Sequence, residues 1–329
     1  MELEHRLMNV LAVLFGASFL NAQAYTVSQT GTFAQKTTTG PPQAKTVLLL
    51  RNAQGDKPVI LFQTRLRVNT DGSPLSYHPQ DPLGKDKALN NICNAIAVRR
   101  IGDKRNLCLI KTEFKVAIDV FERFRDTNYQ KIPDGFQITW TNVLATVKDQ
   151  GKDVPCVFTA GPFKGYFGSL TALQNGLTTN KGECGINDQV NPLAVPALVL
   201  AGGDNVLKQF GAKVGDLLFA FDPKTGRFSA AIIGDTGPED NLGEGSVFLN
   251  MQLLDMTVPP TNKADTFKLS IEDTQVLVAI MPASRAFQQV KPYTNDNIGA
   301  RVRQWQKEAG FGTPEQFIEF MKSFAPRLK

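Results

Sequence analysis

Two acids nine positions apart, Asp235 and Glu244, are the residues of this 329-residue chain whose types and spacing best suit chemistry. Two apolar, β-prone runs, Asp216–Phe221 and Phe228–Ile233, flank Asp222-Pro223-Lys224-Thr225-Gly226, a segment with the Pro and Gly of a hairpin loop. The second strand is expected to end on Gly234-Asp235. A Gly/Pro-rich loop then carries Glu239, Asp240 and Glu244 before Ser246-Val247-Phe248-Leu249 starts a predicted helix. A loop that folds back in this way can hold Asp235 and Glu244 across a cleft. In such a pair one carboxyl protonates a leaving glycosidic oxygen while the other activates water or attacks. No Lys or Arg lies between Arg227 and Lys263, so these acids are expected to be unopposed. The same residues also permit a plainer reading, because Asp-Thr-Gly-Pro is ordinary turn chemistry and a Glu in a first helical turn favours the helix dipole.

Other chemistries have few residues to draw on. The chain has two histidines, and only His78 lies beyond the first 24 residues, so a His-rich metal site or a Ser–His nucleophile system has one candidate. We therefore expect no metal and no cofactor, and the chemistry falls to carboxylates. Met1–Leu20 contains the apolar run Val10 to Leu20, too short to span a bilayer, followed by Asn21-Ala22-Gln23-Ala24. It reads as a secretory signal peptide over residues 1–24 with Glu2 and Glu4 diluting its positive end, and a buried N-terminal helix is the alternative. Its removal takes away Arg6, Glu2 and Glu4 and moves the formal charge from +5 to +6. That modest excess carries no basic run interleaved with aromatics, so nucleic acid is not an expected partner. Four cysteines behind an export signal imply two disulfides in a secreted or periplasmic protein. Sequence order favours Cys93–Cys108 and Cys156–Cys184, although three pairings are possible.

The elements that must position the acids are mostly strands. Residues 25–45, Thr/Gly/Gln-rich with Pro41-Pro42, read as a flexible or extended lead-in. Thr46–Leu50 and Pro58–Val68 read as strands around a turn at Asn52–Asp56, as do Gln137–Asn142, Val195–Leu200 and Thr274–Met281. Asp86–Arg99 and Thr112–Arg125 read as helical or partly so. In the second, Phe114, Ala117, Ile118, Phe121 and Phe124 repeat at helical spacing, as expected of a core-facing helix. Beyond Pro292 come two amphipathic helices. Ile298, Val302, Trp305 and Ala309 mark one, and Thr313-Pro314-Glu315-Gln316 caps the other, which carries Phe317, Phe320, Met321 and Phe324 on one face. The pattern is a mostly β, α+β domain over residues 46–290, a barrel, with a C-terminal helical extension over 291–329 that is expected to pack against it, a partner surface being the alternative.

Several motifs in order resemble the glycoside hydrolase family 75 chitosanases and their bacterial relatives. They are Val214-Gly215-Asp216-Leu217, Pro223-Lys224-Thr225-Gly226, Gly234-Asp235-Thr236-Gly237-Pro238 and Gly243-Glu244-Gly245-Ser246. Asp71-Gly72-Ser73-Pro74 with Tyr77-His78-Pro79 is similar to a loop that follows an early strand in that family. Gly165-Tyr166-Phe167 with Ser169, Thr171 and Leu173 partly resembles a strand of it, with Gly168 and Leu170 departing from the pattern. Val195–Leu200 resembles a further family strand, with Ala197 in place of an aromatic. The resemblance is loose from Pro58 to Ser284 and close from Val214 to Leu253, and it leaves the C-terminal helices outside.

The resemblance implies a double-psi-like β-barrel and an essential pair at Asp235 and Glu244. It implies endo-acting, inverting cleavage of a β-1,4-linked glucosamine polymer, with Glu244 as proton donor and Asp235 as base. A helix start would lower the pKa of Glu244 and argue the reverse; an apolar wall would raise it. Asp71, Tyr77 and His78 are carried as wall or substrate-contact residues, with stitching of their loop as an alternative role. Lys164 is a candidate for hydrogen bonds to sugar hydroxyls, and Tyr166 for stacking on a ring or for the core. A mature charge of +6 would repel cationic chitosan, which leaves carboxylate-bearing peptidoglycan as an alternative substrate. The remaining alternative is a non-catalytic glycan-binding envelope protein on the same fold.

Overall fold

The computed structural model describes residues 24–37, 41–140, 142–177 and 179–328. The expected export signal lies outside them, apart from Ala24. The strands are β1 (Thr26–Gln35), β2 (Gln43–Arg51), β3 (Val59–Asn69), β4 (Ala97–Arg100), β5 (Phe136–Thr139), β6 (Thr146–Asp149), β7 (Lys152–Pro155), β8 (Ala197–Ala201), β9 (Leu217–Phe221), β10 (Phe228–Gly237), β11 (Glu244–Ser246) and β12 (Ile271–Met281). The helices are α1 (Phe114–Asp126), α2 (Val206–Gln209), α3 (Val247–Leu253), α4 (Lys263–Phe267), α5 (Asn295–Glu308) and α6 (Pro314–Phe324). No helix among the described residues is long and apolar enough to cross a membrane.

Six strands close on themselves in the order β3-β11-β8-β10-β9-β12, with β12 returning to pair antiparallel with β3. Two of the pairings, β3–β11 and β8–β10, are parallel and the other four are antiparallel. The mostly β barrel with peripheral helices expected from the sequence is the observed architecture. Side chains alternate across its wall. Ile60, Phe62, Leu66, Leu198, Leu200, Leu218, Ile233, Val278 and Ile280 fill the interior. Leu61, Leu217, Phe219, Ile232, Leu277 and Ala279 face outward, yet they are buried too, because α5 and α6 cover them with Ile298, Val302, Trp305, Phe317 and Met321. Burial on both faces explains why runs such as Leu217–Phe221 read as continuously apolar rather than alternating.

The helices α5 and α6 are therefore part of the barrel's own packing. Thr294 caps α5 with a reciprocal Thr294–Asn297 box, and Thr313 caps α6, whose first residue is Pro314.

Two expectations are sharpened or corrected. Of the flexible or extended lead-in at 25–45, the described residues take the extended form: β1 pairs antiparallel with β2 along nearly its whole length, and β2 pairs with β3. Its Thr, Gln and Gly residues show no hydrophobic period because backbone bonds rather than a buried face hold it. Asp86–Arg99, read as helical or partly so, holds no α-helix. Asp81 accepts the backbone N–H groups of Lys85, Asp86, Lys87 and Ala88 at 2.8–3.0 Å, which wraps that stretch around a carboxylate. Only a single turn at Ile92–Asn94 and β4 follow.

A second lobe stands beside the barrel. There α1 buries Ala117, Ile118, Val120, Phe121 and Phe124 against Tyr77, Val98, Ile138 and Phe167, as its spacing predicts. Both disulfides favoured by sequence order, Cys93–Cys108 and Cys156–Cys184, are formed. Gly165–Leu173, which resembled a strand, is instead a loop that touches its neighbours through isolated bridges at Phe167 and Ser169.

Candidate active site

The placement of Asp235 follows from an irregularity in β10. Ile232 points out of the barrel and Ile233 points in, so strict alternation would aim Asp235 inward. The register against β8 shifts between Ile233 and Asp235, and this bulge turns Asp235 to the outer face opposite Val199. The strand continues to Gly237 rather than ending at Asp235, as expected from the sequence. The carbonyl of Gly234, displaced by the bulge, accepts the N–H of Leu173 at 3.0 Å. The adjacent Ala172 N–H reaches Asp235 Oδ1 at 2.9 Å.

Glu244 arrives from the other side. It opens β11, which runs antiparallel to β8 and also pairs Glu244 with Val199. It is thus a strand residue and not the helix start expected from the sequence; Ser246 caps α3 instead. The preceding Gly243 has φ 96°, and a Cβ there would stand 2.2 Å from the Arg65 carbonyl oxygen, so only glycine lets this loop reach β3.

Asp235, Val199 and Glu244 therefore form one row across three neighbouring strands, on one face. Two strand spacings of about 4.8 Å each put the two acidic Cα atoms roughly 10 Å apart. The Glu244 carboxylate leans over β10: its Oε2 lies 3.4 Å from where a Cβ on Gly237 would stand. Both acids are half-buried and keep access to solvent.

Each carboxylate has its own partners. Asp235 Oδ1 also accepts the Thr236 N–H at 2.8 Å, and the Asn69 side chain bonds the same carboxylate. Asn241 Nδ2 donates to Glu244 Oε1 at 2.5 Å, and Arg67 is the residue beside Glu244 on β3. The acids are consequently not unopposed. Arg67 and Lys36, which makes a 3.4 Å ion pair with Asp240, come from distant parts of the chain. Burial pushes Asp235 up from its ordinary 3.8 to about 6, against the pull of its three donors. Burial also raises Glu244, with Asn241 and Arg67 opposing the shift.

A third carboxylate joins them. Asp71 accepts the Tyr77 hydroxyl at 2.5 Å, and its backbone N–H donates to Asn69 Oδ1 at 2.7 Å. Burial, reinforced by the charges of Asp235 and Glu244, lifts Asp71 to about 7 even though the Tyr77 bond favours its ionised form. Tyr77 is fully buried in the second lobe, whose Ser169 Oγ accepts the Gly72 N–H at 3.0 Å, while Asn69 at the end of β3 holds the loop to the barrel. Removing that donor in Tyr77→Phe is expected to raise the Asp71 pKa above about 7 and to cost roughly 1 kcal/mol of stability. Carboxyl-resolved NMR titration beside a thermal melt checks both; an unmoved Asp71 would break the proposed coupling.

His78, Tyr166 and Lys164 do not join the acids. Consecutive residues point opposite ways, so Tyr77 enters the lobe toward Asp71 while His78 faces a separate depression with Gln80, Arg125 and Gly165. Tyr166 meets His78 edge-on at 4.7 Å between ring centres, and its hydroxyl donates to the Lys87 carbonyl at 3.3 Å. Lys164 is exposed on the same loop. His78 and Tyr166 thus pack on each other away from the pocket that Asp71 and Asp235 line, and Lys164 lies on the same loop as Tyr166.

Sequence reading missed Asn69, Asn241, Arg67 and Val199. Only Asn69 left a signal, as the residue in step with Arg65 and Arg67 on β3, two positions before Asp71. Among the described residues no three His, Cys, Asp or Glu side chains converge as a metal cage. In comparisons with known proteins the chain matches no family model and no characterised protein.

Proposed function

We propose that this chain is an exported glycoside hydrolase that cleaves a β-1,4-linked amino-sugar polymer with inversion, as its resemblance to the family 75 chitosanases implies. The observation that carries the reading is the row formed by Asp235, Val199 and Glu244, two acids flanking one apolar residue on an accessible face. Their strand separation of about 10 Å between Cα atoms suits carboxyls roughly 6.5–9.5 Å apart, the gap that admits a water beside the anomeric carbon.

The partners support one assignment of roles. Three donors, the N–H groups of Ala172 and Thr236 and the Asn69 amide, favour the ionised form of Asp235 and suit it to take a proton from water. The water oxygen then bonds to the anomeric carbon as the glycosidic C–O bond breaks on the opposite face. Glu244, raised by burial beside Val199, gives its proton to the departing oxygen. The proton taken by Asp235 returns to solvent, and Glu244 is reprotonated. Asp71 and Tyr77 hold a further proton next to Asp235 and set the local charge.

A reducing-end assay on chitosan, chitin and purified peptidoglycan, combined with proton NMR of the first product, tests the reading. We expect new ends from at least one polymer, appearing first as the α-anomer. A β-anomer would overturn inversion. Absence of cleavage with retained glycan pull-down would favour the non-catalytic binding protein instead.

A further inference from the structure

The outward residues of β3 continue past the acids. Arg65, Arg67 and Asn69 alternate along one face of the strand, Arg65 and Arg67 exposed, in a line about 13 Å long at ~3.3 Å per residue. The Asn69 end meets Asp71 and Asp235, and Arg67 lies beside Glu244. The Arg65 end opens into a groove of about 200 Å³ between the β1–β2 hairpin and the loop that precedes Glu244.

That groove is cationic. Lys36, Lys45, Arg65 and Arg67 line it. Among the described residues these cations form ion pairs with Asp240, on Lys36 at 3.4 Å, and Glu272, on Arg65 at 3.7 Å and Arg67 at 3.1 Å, and Arg67 also acts on Glu244 beside it. Four positive charges less Asp240 and Glu272 leave an excess of two, and an excess of one when Glu244 is ionised. Lys45 is half-buried and donates to a neutral acceptor, Gln275 Oε1, at 3.3 Å. Burial and the charge of Arg65 press its pKa down, as expected of cations crowded together. A polycationic glucosamine chain leaving the acids along β3 would meet repulsion here, and a neutral chain would gain nothing from the charges. A carboxylate on the sugar would complete the set.

We propose that this groove is a subsite for a carboxylate-bearing sugar, so that the polymer drawn across Asp235 and Glu244 is an amino-sugar glycan with acidic substituents. The cutting of that polymer rests on the hydrolase reading above; the anion subsite does not.

The test uses the full chain carrying Asp235→Asn, which prevents turnover during titration. Its probes are an oligosaccharide of N-acetylglucosamine alternating with its 3-O-lactyl ether, the same oligosaccharide with its carboxyls reduced to alcohols, and free lactate. The acidic oligosaccharide is expected to bind about tenfold tighter than the reduced one, with the advantage fading toward 1 M salt as screening shortens to about 3 Å. Lys45→Gln and Arg65→Gln should each erode the preference several-fold without weakening the reduced probe, whereas Lys45→Arg should retain it; melting curves confirm folding. Equal binding of the two oligosaccharides, or lactate binding as tightly as the acidic one, would overturn the subsite. If the unsubstituted chain cuts no polymer while the preference stands, the hydrolase reading falls and the subsite survives. If it cuts while binding is indifferent to the carboxyl, the reverse holds.

Discussion

Asp235→Asn is expected to lower turnover by about 10²–10⁴-fold, the range for loss of a general base, and Glu244→Gln by a similar factor for loss of the acid. The Asp235 variant should also melt at a higher temperature than the parent near pH 7.5. Burial raises the folded-state pKa of Asp235 to about 6, from 3.8 in an ordinary setting. Between those values the folded chain keeps a proton that the unfolded chain has released, so the stability this group contributes at low pH is lost as pH rises through about 6. An amide pays no such penalty, and its oxygen still accepts from Ala172 and Thr236. The gain should therefore be full above about pH 6 and vanish below about pH 4. Reducing-end kinetics and melts at pH 4, 6 and 7.5 check the pair of effects. A variant that is equally active, or destabilised at pH 7.5, would sink the assignment of Asp235 as a desolvated base.

Deleting residues 291–329 should abolish folding. The deletion uncovers the outward faces of β2, β3, β9 and β12, where Leu48, Leu50, Leu61, Phe219 and Leu277 are otherwise buried under α5 and α6. At about 25 cal/mol per Å² of apolar surface, re-exposing several side chains of this size exceeds the 5–15 kcal/mol that a domain typically holds in reserve. Phe317→Ala alone should cost about 3–5 kcal/mol, since that ring is fully buried and meets Phe219 edge-on at 5.5 Å. Solubility and circular dichroism read the truncation, and denaturant titration reads the substitution. A truncated chain that melts as sharply as the parent would restore 291–329 to the status of an independent extension.

These two results separate what could be read from the chain from what could not. Five of the six barrel strands were legible because their apolar runs are bounded by turn residues, and α1, α5 and α6 because their helical spacing is clear; β11, three residues long and without an apolar run, was not. Asp235 and Glu244 stood out together because only nine positions separate them, at the two ends of one short acidic segment. Their surroundings were not. Arg67, Lys36 and Asn69 approach through long-range strand pairing that no local window contains. The bulge in β10 leaves only Gly234 as a trace, and a glycine beside a turn is unremarkable. β1 escaped notice because it is held by its backbone. The stretch around Asp86 misled because a single carboxylate, Asp81, takes the N–H groups that a helix would have used.

The row through Val199 alters the meaning of the nine-residue interval between the acids. One acid enters on a parallel neighbour of β8 and the other on an antiparallel neighbour, so the gap between them is a lattice constant of hydrogen-bonded backbone, repeated twice. The intervening loop supplies Asn241 and Asp240 as fittings but does not set that gap. Lengthening or shortening it would leave the jaws of the cleft equally wide, provided the three strands stay in step. The caliper belongs to the sheet.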